Sequence, residues 1–144
     1  LIHFKREYLD KELTSEVGKD DLEAYWKETT AYPEMPLEVR WEQYYWMQEQ
    51  GVYYCYTARD EEDLIGYAGY IVSSTLHQSN VLTAGHDILY IHPDWRGGGI
   101  GRGLIESAEK DLKENNVAII QHHISSRFDF SPMIKKMGYK CTDM

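Results

Sequence analysis

The sequence predicts an α/β fold: a mixed, largely antiparallel sheet flanked by helices, with a parallel β-α-β crossover after a glycine-rich loop. Three observations predict it. Three strand-like runs, Val52–Ala58, Leu64–Ser74 and Leu82–His92, follow one another across short polar breaks, as a meander requires. A glycine-rich segment, Arg96-Gly97-Gly98-Gly99-Ile100-Gly101-Arg102, then opens an amphipathic run that lasts to Asn115. A further strand-like run, Val117–Ser125, follows that helix, so its pairing with the third strand is parallel.

Each element has its own signal. Phe4, Tyr8, Leu9, Leu13 and Val17 recur at mostly helical spacing, which predicts one helix over residues 1–17 that ends at Gly18. Asp20 or Asp21 caps a second helix with Leu22, Tyr25, Trp26 and Thr29 on one face. Pro33 and Pro36 break the chain. Leu37, Trp41, Tyr44, Tyr45 and Gln48 then repeat at helical intervals up to Gly51. The strands are β-branched and aromatic, and the polar stretch Thr75–Asn80 reads as a loop. The run after the glycines turns Leu104, Ile105, Ala108 and Leu112 inward and stops at Asn115-Asn116. Val117–Ser125 reads as a mostly buried strand. Ser131-Pro132 marks an N-cap followed by proline at the first helical position of a short helix that Gly138 ends. Tyr139–Met144 begins a last strand.

Composition bounds the function. The chain has 144 residues, 42% hydrophobic and 27% charged, which fits one ordinary globular domain over residues 1–144. The formal net charge of −9 argues against nucleic-acid binding, which needs a basic surface. It suits a cationic acceptor steered by an acidic cleft, and equally suits solubility alone. No apolar run is long enough to predict a membrane span. Cys55 and Cys141 lack metal-ligand spacing, and no metal site is expected. Both lie in strand-like runs, which predicts reduced core cysteines in a cytoplasmic protein.

A strand that turns through glycines into a helix makes an anion site. The first helical N–H groups have no partners within the helix, and the dipole there favours negative charge. Arg96 and Arg102 add forked donors suited to phosphate oxygens. The segment fails the dinucleotide fingerprint at Arg102 and lacks the Lys-Ser/Thr pair of the nucleoside-triphosphate loop. Its spacing is Arg-x-x-Gly-x-Gly, carried by Arg96, Gly99 and Gly101.

That spacing, with the lead-in Leu89-Tyr90-Ile91-His92-Pro93-Asp94-Trp95, resembles the pyrophosphate loop of the Gcn5-related N-acetyltransferases, the GNAT superfamily. The resemblance covers roughly residues 20–144. It is nearest to small phage and prophage members, through Thr57-Ala58-Arg59, Gly66-Tyr67, Leu76-His77, His122-His123 and Gly138-Tyr139. It implies acetyl-CoA as cosubstrate, with no metal. The pyrophosphate would lie on Arg96, Gly97, Gly98, Gly99, Ile100, Gly101 and Arg102, and the pantetheine arm on the backbone of Leu89, Tyr90 and Ile91. It also implies transfer of acetyl to a primary amine by direct attack, the acceptor being a protein lysine or N-terminus, a polyamine or a small amine. In the family a further strand follows the Gly-Tyr segment.

Three residues are candidates for the general base. Asp87 stands in an otherwise apolar strand, near where many relatives carry a glutamate, and an unpaired carboxylate there would be costly. His86 titrates near neutrality, but alternation points it to the other face. His123 follows His122 in the next strand, and either is also an ordinary structural histidine. Many relatives place a tyrosine acid four residues before the glycine that ends the last helix, and here that position is Ile134. A catalytically degenerate coenzyme A-binding protein acting through a protein partner is therefore the alternative. The aromatic residues Tyr25, Trp26, Tyr32, Trp41, Tyr44, Tyr45 and Trp46 suit a wall for a cationic or planar acceptor, a core stripe or a homodimer contact.

Overall fold

The computed structural model describes residues 1–32, 34–125 and 129–142. Its elements run β1 (Ile2–Arg6), α1 (Lys11–Val17), α2 (Lys19–Thr29), α3 (Trp41–Glu49), β2 (Tyr53–Asp60), β3 (Asp63–Thr75), β4 (Gln78–Ile91), α4 (Ile100–Glu114), β5 (Val117–Gln121) and α5 (Ser131–Lys136). A single 3-10 turn, Pro93–Trp95, joins β4 to the glycine loop. The five strands lie in the order β1-β2-β3-β4-β5. The first three pairings are antiparallel and β4–β5 is parallel. This is the mixed, largely antiparallel sheet that the sequence predicts, with the crossover after the glycines.

Helix α4 anchors the main core. Leu104, Ile105, Ala108 and Leu112 are wholly buried, at the i, i+4 intervals of one helical face. Leu104, Ala108 and Leu112 meet Tyr56, Tyr70, Val72 and Ala84 from the sheet. Phe4 of β1 lies against Gly103, where an added Cβ would fall 2.5 Å from the ring. On the opposite face, Leu9 and Leu13 pack with Tyr53 and Cys55, and Val17 packs with Tyr67 and Tyr90.

The first seventeen residues correct the single helix expected there. They form a strand and then a helix. Ile2 and Phe4 turn inward with period two while β1 pairs along the edge of β2. Asp10 then caps α1, its Oδ1 accepting from the Leu13 N–H at 2.9 Å. The cap of α2 is Gly18 (φ 76°), with Asp20 and Asp21 in the first turn instead of at the cap.

Four further expectations change. The loop at Thr75–Asn80 is a tight hairpin in which Thr75 pairs with Gln78. The hairpin projects beyond the core, so its strands are polar on both faces, and Ser73, Ser74, Ser79 and Asn80 are exposed. Strand β5 stops at Gln121, and only Val117 in it is fully buried. Phe130, not Ser131, is the residue that precedes α5, and the Ser131 N–H donates to Asp129 Oδ1 at 2.8 Å. Residues 139–142 form no strand and Cys141 is exposed, not core. The rest of that expected strand, and the break at Pro33, lie outside the described residues.

Candidate functional site

Strand β4 pairs with β3 from end to end, apart from two breaks in register, and on its other side pairs for only part of its length. It pairs with β5 from Leu82 to Gly85, and beyond that point β5 ends. Among the described residues, the edge of β4 is therefore open from His86 to Ile91. The His92 N–H donates to Ile65 O on the β3 side at 2.8 Å. By antiparallel alternation, the amide and carbonyl groups of Leu89 and Ile91 face the open edge. The Ile91 carbonyl agrees, since it accepts from Arg96 Nε at 2.8 Å. A cleft of about 630 Å³ occupies the gap, lined among others by Leu89, Gly85, Gln121 and Ser125.

The apex of the split is held by His86. Its Nδ1 accepts the His123 main-chain N–H at 2.9 Å, so the ring proton sits on Nε2. Burial pushes the His86 pKa down to about 3, helped by the rings of His122 and His123. His122 is held down to about 4 by burial and by His123. Its two ring nitrogens are buried without hydrogen bonds, and its ring stands edge-on to Tyr70 and Tyr139. His123 is exposed. The His86 ring lies 5.0 Å from the His122 ring and 5.8 Å from the His123 ring, centre to centre, and burial keeps His86 and His122 neutral. Among the described residues, no set of three or more His, Cys, Asp and Glu is arranged to hold a metal ion.

Asp87 sits on a β-bulge. Gly69 pairs with Ile88 and Tyr70 with His86, leaving Asp87 as the extra residue of β4. The bulge turns its carboxylate towards α2 and α3, away from the His86 ring. Asp87 Oδ2 accepts from Tyr44 Oη at 2.7 Å and from Tyr53 Oη at 3.1 Å. The Asp87 carbonyl accepts from Tyr25 Oη at 3.3 Å. Burial, with Asp87 next, raises the pKa of both Tyr44 and Tyr53. Both phenols are thus fixed as protonated donors, and Oδ1 of Asp87 keeps its lone pairs. Sequence reasoning named Asp87, and counted Tyr44 among aromatic residues that suit an acceptor wall, a core stripe or a dimer contact, but missed Tyr53 and the convergence. Helical spacing identifies a tyrosine's ring and says nothing of where its hydroxyl ends.

The glycine loop meets the demands of an anion site in its main chain. Gly97 (φ 85°) and Gly99 (φ 79°) adopt the left-handed region. A Cβ built on Gly97, Gly98 or Gly99 would meet nothing within 4 Å, so the loop stands clear with its backbone accessible. Helix α4 has no side-chain cap and no acid in its first turn. Its first intrahelical bond in this turn runs from Gly103 N–H to Gly99 O, which leaves the amides of Ile100, Gly101 and Arg102 facing outward.

The two arginines are less available than their spacing suggests. Arg96 Nη2 donates to both oxygens of Glu28 at 3.0 and 3.1 Å, and its guanidinium lies 5.4 Å from the centre of the Tyr90 ring. It ties the loop to α2 and β4. Arg102 Nε donates to Glu106 Oε1 at 2.7 Å, one helical turn on, and both side chains are about half exposed. The Cys55 thiol, pushed up to about 12 by burial, is no nucleophile. Among the described residues, no helix is long and apolar enough to cross a membrane.

A second, largely apolar cavity of about 220 Å³ lies between α1–α3 and the sheet. It shares Asp87, Tyr25 and Trp26 with the larger cleft.

This architecture recurs in known structures. A predicted acetyltransferase from Clostridium acetobutylicum, solved with acetyl-CoA, superposes with a TM-score of 0.72 at 17% identity, over 99% of this chain and 92% of that one. A ribosomal-protein-alanine N-acetyltransferase from Brucella melitensis gives 0.72 at 14% identity, over 100% and 94%. Glucosamine-6-phosphate N-acetyltransferase from Arabidopsis thaliana gives 0.72 at 11%, over 99% and 95%. At such identities the likeness is one of fold. No curated protein matches by sequence. The family model of the acetyltransferase (GNAT) domain does match, over residues 51–141, from the turn before β2 to the segment after α5, and the chain accordingly belongs to the GNAT acetyltransferase family.

Proposed function

We propose that this protein transfers the acetyl group of acetyl-CoA to a primary amine by direct attack, residues 1–144 acting as one cytoplasmic acetyltransferase domain of the phage and prophage type. One observation carries the reading. The open edge of β4 runs from Asp87 to Ile91 and leads, through one 3-10 turn, into a glycine loop at a helix N-terminus without a side-chain cap. A long ligand with a diphosphate at one end and an amide-bearing arm fits that track. The solved neighbour that holds acetyl-CoA lends support through the shared fold.

On this reading the outward amides from Gly97 to Arg102 hold the diphosphate, aided by the α4 dipole. Arg96 positions the loop, and Arg102 adds charge at its rim. The outward amides of Leu89 and Ile91 and the Leu89 carbonyl pair with the arm, as a neighbouring strand would, while the Ile91 carbonyl is taken by Arg96. Bound acetyl-CoA supplies an activated acyl carbon and a thiolate leaving group. Asp87 accepts a proton from the incoming ammonium, so that a neutral nitrogen attacks the carbonyl carbon. Tyr44 and Tyr53 hold the carboxylate still. A main-chain N–H on the open edge polarises the carbonyl oxygen. His86 and His123, the other base candidates, hold the split together instead.

The second reading is a coenzyme A sensor without turnover. One residue favours it: buried Ile134 occupies the place where many relatives carry a tyrosine acid. A thiol is an adequate leaving group without such an acid, its pKa being about 8.5. Incubation with acetyl-CoA and a panel of amines, with free thiol followed against time, separates the two. Thiol release with N-acetylated product supports transfer. Tight binding without release, across the panel and a cell lysate, supports the sensor.

A further inference from the structure

We propose that the acceptor is a compact primary monoamine with an apolar body about the size of one aromatic ring and a short alkyl chain. The proposal rests on the acetyl-transfer reading and narrows its substrate.

The smaller cavity carries the argument. Its walls include Leu13, Leu22, Leu37, Trp41 and Tyr67, and among the described residues Asp87 is the only carboxylate in its lining. Asp87, Tyr25 and Trp26 line both this cavity and the larger cleft, and the Asp87 carboxylate is held by Tyr44 and Tyr53 of the smaller one. An ammonium paired with Asp87 therefore has its nitrogen at a residue that both share and its carbon body in the apolar chamber. Acetyl delivered along the open edge of β4 meets the nitrogen from the other side. One carboxylate compensates one positive charge. A second ammonium in this chamber would lie against leucine and aromatic rings with no partner, which strongly disfavours polyamines. A dry apolar cavity of about 150 Å³ takes benzene. At about 220 Å³ this one has room for a ring with a short chain, and none for a polyhydroxylated multi-ring amine.

The test uses the intact chain and separates the two levels of the proposal. Phenethylamine binding to the protein alone is read by the fluorescence of Trp26 and Trp41, which both line the cavity. Acetyl-CoA binding is read by calorimetry. Turnover is then compared for propylamine through hexylamine, phenethylamine, spermidine and a lysine peptide. The expected result is a kcat/KM that climbs about fourfold per methylene along the alkyl series. Phenethylamine should exceed spermidine and the peptide at least tenfold. Leu22→Trp and Val39→Trp, two separate ways of filling the chamber, should each lower kcat/KM for phenethylamine at least tenfold. Acetyl-CoA affinity should stay within twofold. Spermidine or the peptide matching phenethylamine, a flat alkyl series, or indifference to both tryptophans in folded protein overturns the proposal. Phenethylamine binding without any acetyl-CoA binding leaves the chamber assigned and sinks the transfer reading instead.

Discussion

Tyr53 reaches Asp87 because residue 69 has no side chain. The Tyr53 phenol crosses directly over Gly69, where a Cβ would lie 2.7 Å from Cζ and closer still to the hydroxyl. From there the hydroxyl donates to Asp87 Oδ2. The same glycine flanks the bulge that makes Asp87 the unpaired residue of β4. One missing side chain on β3 thus serves both the bulge and the bond. Gly69→Ala should displace the ring, cost about 1–3 kcal/mol by overpacking, and lower acetyl transfer at least tenfold. In a Tyr53→Ala background the same change should cost under about 0.5 kcal/mol, because the clash is gone. A double-mutant cycle in denaturant measures that coupling. Additive costs would mean that the two residues do not constrain each other.

Asp87 accepts two phenolic hydrogen bonds on one oxygen and, among the described residues, none on the other. Asp87→Asn keeps the shape and removes the base. Its kcat should fall by about 10²–10⁴, while calorimetric affinity for acetyl-CoA stays within twofold. Tyr44→Phe removes the shorter of the two bonds and should cost less, about tenfold in kcat, by letting the carboxylate rotate. An Asp87→Asn enzyme with wild-type turnover would remove Asp87 from the mechanism.

The glycine loop offers a test free of backbone strain. Gly97 and Gly99 need the left-handed region, so substitution there confounds strain with chemistry. Gly98 does not, and its Cβ would project into open space. Gly98→Ala should therefore bind acetyl-CoA within a few-fold of wild type. Gly98→Glu places a carboxylate beside the proposed diphosphate and should weaken binding at least 100-fold, with little change in melting temperature. Equal affinities for the two variants would move the diphosphate off this loop.

What the sequence made legible follows physical rules. The stripe Leu104, Ile105, Ala108 and Leu112 could be read because one helical period buries all four. The β2–β4 meander could be read because β-branched and aromatic runs have few other uses. Strand β1 was hidden because five edge residues sit among apolar positions that also fit a helix. The β3–β4 hairpin tip was hidden because strands beyond the core are polar on both faces. Asp87 stood out as a charge in an apolar strand. Its bulge, its phenolic partners from 34 and 43 residues away, and the capture of Arg96 by Glu28 68 residues away are tertiary facts without local signature.

The His86 clamp predicts a pH dependence. Its folded pKa is lowered from 6.5 to about 3, so the unfolded chain takes up its proton first as pH falls. Stability is then fully present above pH 6.5 and is lost as pH drops from 6.5 towards 3. By pH 5 this one group should withdraw about 2 kcal/mol, with His122 adding to the loss in the same direction. Protonation also converts Nδ1 from acceptor to donor, which breaks its bond with the His123 N–H and frees the apex of the split. His86→Asn keeps an acceptor near the Nδ1 position and cannot titrate. Its melting temperature should fall roughly 5 °C less than that of wild type between pH 7 and pH 5. Its acetyl-CoA affinity should also weaken less over that interval. Parallel melting curves for the two proteins would show that acid acts elsewhere in the molecule.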